Sequence, residues 1–306
     1  MKKAIVFGSF VVDLMARTPH LPEPGETVKG SLFALGPGGK GFNQCIAAKR
    51  AGADVTMATK LGCDFFADVA TNMMQKENMN SDCVFKTDKA STGAAIIMVD
   101  ENSGQNEIVV TLGACDTFDE ADVSRISSHI AKSDFLLTQL ETNVDAVKSV
   151  IDEAAKNGVF VILNPAPVQQ IDDEIYNKID ILTPNEVEAS ILTGIKIKSI
   201  DDAKKAANVF FEKGVKSVII TLGKKGALVA SDNKFEIVEN YDVDVLDTTG
   251  AGDAFNGGLL AALCEGKDIF DAARFANVVS NLAVTRLGTA NAMPSRSEID
   301  EFLNNL

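Results

Sequence analysis

The sequence predicts an α/β fold: a three-layer α/β/α sandwich with a mostly parallel central sheet and a small β-sheet lid. Two observations carry this. Short apolar runs alternate with amphipathic helical runs over most of the 306 residues, the pattern of a parallel sheet covered on both faces. Two stretches, Glu26–Leu35 and Thr92–Leu112, break the alternation with extended pieces and no helix between them. The simplest organisation is one domain over 1–306, with the lid formed from about 10–35 and 92–113.

Taken in order, Ala4–Gly8 reads as a buried strand, Phe42–Ala51 as a helix, Val55–Leu61 as a strand and Phe65–Glu77 as a helix. Phe135–Leu140, Val159–Leu163, Ile179–Leu182 and Ser217–Leu222 read as strands. Helical stretches at Asn143–Lys156, Glu186–Leu192 and Asp201–Lys213 lie between them. Thr92–Val99 and Asn106–Leu112 flank the polar loop Asp100–Gln105, a hairpin signal. Val243–Leu246 is strand-like, a long helix runs from Ala254 to about Cys264, and the chain after Gly250 is mostly helical.

Composition narrows the function. The net charge is −14, from 29 basic and 43 acidic residues, and a field of that sign opposes nucleic acid and anionic lipid surfaces. A phosphate site would have to be built locally, from backbone N–H groups, a helix N-terminus and a metal ion. The five cysteines include no CxxC pair, which fits a reducing, cytoplasmic setting with neither a disulfide framework nor a zinc site. Met1-Lys2-Lys3 and the apolar run to Val12 faintly resemble a signal peptide, but Asp13 ends the run and a first buried strand explains it better. No run reaches the ~18 apolar residues of a membrane span. His20 and His129, the only histidines, have no metal-spaced partner.

The sharpest local signal is Asp247-Thr248-Thr249-Gly250-Ala251-Gly252-Asp253-Ala254-Phe255. Glycines at a helix start leave N–H groups open to an oxyanion, and a carboxylate on the same turn can take a proton from an attacking hydroxyl. Phosphoryl transfer needs little more than that plus a metal. Taken alone, the pattern fits a plain helix cap equally well. Gly36-Pro37-Gly38-Gly39-Lys40-Gly41-Phe42-Asn43-Gln44 contains a GxGxxG match. It is not in the first strand-to-helix turn, as a dinucleotide fingerprint requires. Nor is it a P-loop, because Gly41 follows Lys40. The segment remains either a tight turn or a turn that brings backbone and the Asn43 amide onto a polyhydroxyl ligand. Asp13, Glu141 and Thr183-Pro184-Asn185-Glu186-Val187-Glu188 follow strands, where ligands gather; each by itself is more often a cap or turn.

Together, and in this order, these segments resemble the ribokinase-like carbohydrate kinase family, the phosphofructokinase B type. Leu163-Asn164-Pro165-Ala166-Pro167 and Ala283-Val284-Thr285-Arg286-Leu287-Gly288 add to the likeness, which runs from Gly8 to about Pro294. The resemblance implies an ATP-dependent sugar kinase. Asp253 would be the base that deprotonates a primary hydroxyl, with the amides of Gly250, Ala251 and Gly252 as the anion hole. Val11, Asp13, Gly39, Lys40, Asn43 and Glu141 would line the sugar site. Asn185 and Glu188 would organise Mg2+ and phosphate, and Thr221, Gly223, Gly226 and Asn277 would line the nucleotide site. Asp247, Thr249, Ala283, Arg286, Gly288 and Ala292 fall where such kinases bind K+, largely through carbonyls.

The resemblance also implies ribose as the first expectation for the acceptor, with 2-deoxyribose or another sugar as the alternative. Where ribose kinases of the family carry Asn, this chain has Val11, as deoxyribose kinases carry an apolar residue. Valine cannot bond a hydroxyl, and burying an unpaired one costs about 1–3 kcal/mol. The implied partners are a sugar and ATP. The exposed edge of the lid and its apolar faces at Ala94–Val99 and Ile108–Leu112 point to a homodimer in which lids pack together. A sugar-binding regulator without catalysis is the other class, opposed by the presence of Asp253, the glycines and Asn185.

Overall fold

The computed structural model describes residues 2–305. Thirteen strands are found among them: β1 Lys3–Phe7, β2 Val11–Thr18, β3 Leu32–Gly38, β4 Asp54–Gly62, β5 Val84–Thr87, β6 Thr92–Asp100, β7 Asn106–Gly113, β8 Phe135–Gln139, β9 Phe160–Asn164, β10 Ile181–Leu182, β11 Ser217–Thr221, β12 Ala227–Ser231 and β13 Lys234–Val238. The α-helices are α1 Lys40–Arg50, α2 Phe66–Lys76, α3 Glu120–Ile130, α4 Val144–Lys156, α5 Asp173–Tyr176, α6 Glu186–Thr193, α7 Ile200–Glu212, α8 Ala251–Cys264, α9 Ile269–Ala283 and α10 Arg296–Asn304.

Nine strands form one sheet in the order β13-β12-β11-β10-β9-β8-β1-β4-β5. All neighbours from β11 to β5 run parallel, and β11-β12-β13 close one edge as an antiparallel meander. Successive residues of β1 serve opposite faces, as the two-residue period of a strand requires. Ala4 and Val6 enter a core with α1, α2, α8 and α9, while Ile5 and Phe7 enter a second core with α3, α4 and α7. Both faces of the sheet are therefore covered, which explains why its strands read as continuous apolar runs rather than alternating ones.

The second sheet has four strands in the order β3-β2-β6-β7. β2 pairs parallel with β6 and antiparallel with β3. The expected extended run Glu26–Leu35 becomes a strand only at Leu32 and runs on to Gly38, and its partner β2 is a strand that the alternation did not isolate.

Val243–Leu246, read as strand-like, is not a strand. It joins neither sheet and has no ladder partner, although β13 stands at the edge of the large sheet. Its end is tied instead to the end of α9, by Leu246 N–H and Asp247 N–H donating to Val284 O at 2.8 and 3.1 Å. Val243 and Val245 line a cleft.

Candidate active site

The carboxyl ends of β11, β10, β9, β8 and β1 lie side by side, and each is followed by a polar residue: Thr221 at the end of β11, Asn185 after β10, Asn164 at the end of β9, Glu141 after β8 and Ser9 after β1. This is the edge of an open parallel sheet at which ligands bind. Two helices start above it. α1 begins at Gly39, whose φ of 91° favours glycine and where a Cβ would lie 2.9 Å from Phe10 Cα and from Val11 N. α8 begins at Gly250, also left-handed with φ 77°.

Packing between α1 and α8 assembles the centre of the site. A Cβ at Gly257 would lie 2.4 Å from Ala47 Cβ and 2.5 Å from Gln44 O, so only glycine admits this approach. Gly257 stands four residues after Asp253, on the same helix face. The close contact therefore presses Asp253 against Asn43 and Gln44. Asn43 Nδ2 donates to Asp253 Oδ2 at 2.9 Å, and Gln44 Nε2 donates to Asp253 Oδ1 at 3.0 Å. Asp253 is 7% exposed. The Oδ1 of buried Asn43 has no partner among the described residues, an acceptor that a ligand hydroxyl would satisfy.

Gln44 belongs to a wider buried network. Its Nε2 also donates to Asn164 Oδ1 at 3.0 Å, and Gln139 Nε2 donates to its Oε1 at 2.6 Å. Asn164 Nδ2 donates to Thr183 O, Thr183 Oγ1 to Asn256 Oδ1, and Asn256 Nδ2 to Gly252 O. Each amide thus has its orientation set by a neighbour. Sequence reading assigned no role to Gln44, Gln139, Asn164 or Asn256. Gln44 lies inside a segment already singled out, and its place one residue after Asn43 was the available signal.

Ionisable groups converge on the same point. Glu141 Oε2 accepts from Ser9 Oγ at 2.5 Å and from Lys40 N–H at 2.8 Å. Burial raises the Glu141 carboxyl, although Lys40 and these hydrogen bonds oppose it. Burial likewise raises Glu188. Burial alone would lower the Lys40 ammonium, but Asp253, Glu141 and Glu188 outweigh it and hold Lys40 above its ordinary value. Asp13 is pushed up to about 6, first by burial and then by Glu141 and Asp253, against a hydrogen bond from Thr289. Val11 lies two residues before Asp13 on the same face of β2, buried over Gly93, where a Cβ would meet its Cγ1 at 2.8 Å.

Beside this cluster is a cleft of about 860 Å³, lined in part by Asn185, Thr221, Gly223, Gly226, Gly252 and Asn277. Asn185 and Glu188 form a capping box on α6: Asn185 Oδ1 accepts from Val187 N–H and Glu188 N–H, and Glu188 Oε2 accepts from Asn185 N–H. The pair is therefore a helix cap and, through Glu188, a neighbour of Lys40 and Asp253. Asn277 Nδ2 donates to Glu239 O at 2.6 Å. Of the predicted anion-hole amides, Ala251 N–H donates to Thr248 O at 3.2 Å. Gly250 N–H and Gly252 N–H have no acceptor among the described residues.

Asp247 ties two loops together, its Oδ1 accepting from Thr249 N–H at 2.9 Å and its Oδ2 from Gly288 N–H at 3.0 Å. The loop through Gly288 carries Arg286, whose side chain pairs with Glu298, and Ala292; Ala283 closes α9 just before it. Among the described residues no three His, Cys, Asp or Glu side chains converge as a metal site.

A buried carboxylate at a glycine-led helix N-terminus, next to a polar cleft at the ends of parallel strands, defines a group-transfer site of the phosphotransferase kind. Comparison with known proteins agrees. The profile "pfkB family carbohydrate kinase" matches residues 1–296. A ribokinase of Haemophilus influenzae is 41% identical over 304 residues, covering 99% of each chain. A deoxyribokinase of Salmonella typhi is 35% identical over 300 residues, covering 98% of each. The solved structure of Arabidopsis thaliana ribokinase complexed with ribose and ATP superposes with a TM-score of 0.90 at 28% identity, over 99% of this chain and 98% of that one. The chain belongs to the pfkB family of carbohydrate kinases, and it is a phosphotransferase with an alcohol group as acceptor.

Proposed function

We propose that this kinase transfers the γ-phosphoryl group of ATP to the primary hydroxyl of ribose, with Asp253 as the base. The observation that carries the reading is Asp253 itself, buried and held through both oxygens by the Asn43 and Gln44 amides. A carboxylate so fixed is held in one orientation toward a bound hydroxyl, and general-base catalysis depends on such positioning.

Asp13, Asn43 and Glu141 supply acceptors for sugar hydroxyls, the Asn43 Oδ1 being unpartnered. Lys40 and Gly39 close the same pocket, and Val11 contributes an apolar wall. The open Gly250 and Gly252 amides offer donors to the oxyanion that develops on transfer. Thr221, Gly223, Gly226 and Asn277 line the cleft that would take the nucleotide.

Mg2+ keeps most of its waters and needs only one or two carboxylates beside substrate phosphates. Glu188, with one oxygen in the cap and the other free of it, and Asn185 fit that demand. Bound there, the ion would neutralise phosphate charge. The backbone around Asp247, Thr249, Ala283, Arg286, Gly288 and Ala292 offers carbonyls for K+.

The chain reads as one domain over 1–306, in which the β2-β3-β6-β7 sheet is a lid whose closure excludes water and limits ATP hydrolysis. Leu32, Phe33, Leu35, Ile108, Val109 and Val110 are exposed on that sheet. Such an apolar face suits a homodimer formed lid to lid, which light scattering at micromolar concentration tests by giving twice the chain mass. A cytoplasmic setting fits the presence of ATP and the free cysteines.

The deciding experiment is ATP consumption against ribose, 2-deoxyribose, fructose and nucleosides. Ribose should be turned over fastest. A deoxyribose rate exceeding the ribose rate would move the assignment to the other acceptor that Val11 permits.

A further inference from the structure

We propose that Thr289 is a positioning residue of the sugar site, its hydroxyl holding the Asp13 carboxylate in the orientation that receives the sugar. The inference rests on the reading of Asp13 as a sugar acceptor. Thr289 Oγ1 lies 2.9 Å from Asp13 Oδ2 and 3.0 Å from Pro37 O. A hydroxyl has a single hydrogen, and a carboxylate accepts it more strongly than a neutral carbonyl does. One Asp13 oxygen is therefore committed, and Oδ1 is left for sugar hydroxyls.

Among the described residues, no other group donates a hydrogen bond to the Asp13 carboxylate. The carboxylate lies over the bare backbone of Gly38, where a Cβ would come within 2.2 Å of Oδ1. Val11, on the same strand face, offers no polar atom. The charged groups that face Asp13 are Glu141 and Asp253, both acidic. Lys40 stands among those two and Glu188. Without the Thr289 hydroxyl, like charges and burial both favour the protonated acid, which has lost acceptor capacity.

The contact also joins distant parts of the chain. Thr289 follows Gly288, whose N–H is held by Asp247, so the loop after α9 reaches across to the lid strand β2 and fixes a sugar ligand from outside the lid.

The test is Thr289→Val, nearly isosteric but without the hydroxyl, compared with Thr289→Ser, which keeps it. For Thr289→Val the KM for ribose should rise about tenfold, with kcat and the KM for ATP within about twofold. The acid limb of kcat/KM should move to higher pH, because a donor that lowers the Asp13 carboxyl is gone. Thr289→Ser should restore all of these. In an Asp13→Ala background, Thr289→Val should change nothing further.

If Asp13→Ala raises the ribose KM but Thr289→Val leaves both KM and the acid limb unmoved, the inference about Thr289 fails while the reading of Asp13 stands. If Asp13→Ala itself leaves the ribose KM unchanged, both fail.

Discussion

Gln44 Nε2 donates to Asp253 Oδ1 at 3.0 Å while the same nitrogen donates to Asn164 Oδ1 and Gln44 Oε1 accepts from Gln139. The side chain has no rotational freedom left, so it transmits rigidity from the sheet to Asp253, the proposed base. Gln44→Met keeps the length and removes the amide. A hydrogen bond to a charged group is worth about 1.5–3 kcal/mol, so kcat should fall roughly tenfold to a hundredfold with the KM for ribose nearly unchanged. An unaltered kcat in a folded Gln44→Met variant would remove Gln44 from the mechanism.

Gly252 separates folding from catalysis. A Cβ there would meet nothing within 4 Å, and the position is helical. Alanine favours a helix over glycine by about 1 kcal/mol, so Gly252→Ala should fold with an equal or higher Tm. The methyl group would nonetheless stand over an amide that faces the cleft. Turnover should drop at least about tenfold, a modest share of the loss seen when an oxyanion donor is removed. Steady-state kinetics beside a melting curve read both outcomes.

Asp253→Asn should reduce kcat by about a hundredfold to ten-thousandfold, the range of general-base catalysis. Both Asp253 oxygens accept amide hydrogens, whereas asparagine has one acceptor and one donor, so one contact becomes donor against donor. A lower Tm should accompany the lost turnover. Ribose binding, followed by calorimetry, should weaken only a few-fold.

Asp13 gives a pH dependence with a definite sign. Its carboxyl is raised from 3.8 to about 6, mainly by burial, with Glu141 and Asp253 adding to it and Thr289 opposing it. A group whose folded pKa is raised contributes stability that is fully present below its unfolded pKa and lost as pH climbs through the folded one. Between about pH 4 and 6 the fold should therefore lose stability from this group. Asp13→Asn avoids the loss: its Tm should exceed wild type at pH 8, and the gap should close near pH 4. The ribose kcat/KM of the wild type should fall below about pH 6, where Asp13 takes up a proton. Equal melting temperatures at pH 8 would show that ionised Asp13 carries no cost in the fold.

Much of the site was legible because its pieces are local. The glycine turn Gly250–Gly252, the segment Gly38–Gln44 and the Asn185–Glu188 pair are short, and although each alone also fits a cap or turn, their order along the chain carries the resemblance that suggests their roles. Asn185 and Glu188 form the capping box that the cap reading expects, and the same cap orients Glu188 for the phosphate role proposed for it. Val243–Leu246 misled because a short apolar run looks the same whether it pairs in a sheet or, as here, lines a cleft and is tied to the end of a helix. Gln139 and Asn256 left no sequence signal, and Asn164 stood in a segment that carried the resemblance but no role: a lone amide at the end of a strand or inside a helix looks the same whether it is a cap or part of a buried network.

The sequence by itself determined the layered α/β architecture and the family, and it singled out Asp253 as the candidate base, because periodicity and motif order are properties of the chain. Only the tertiary structure decided which side chains meet. Asn43 and Gln44 reach Asp253 because Gly257 lets α8 settle onto α1. Thr289 reaches Asp13 because Asp247 holds the loop after α9 in place. Such contacts join residues far apart in the chain, and they depend on interatomic clearances of a few tenths of an ångström, which residue type and spacing do not encode.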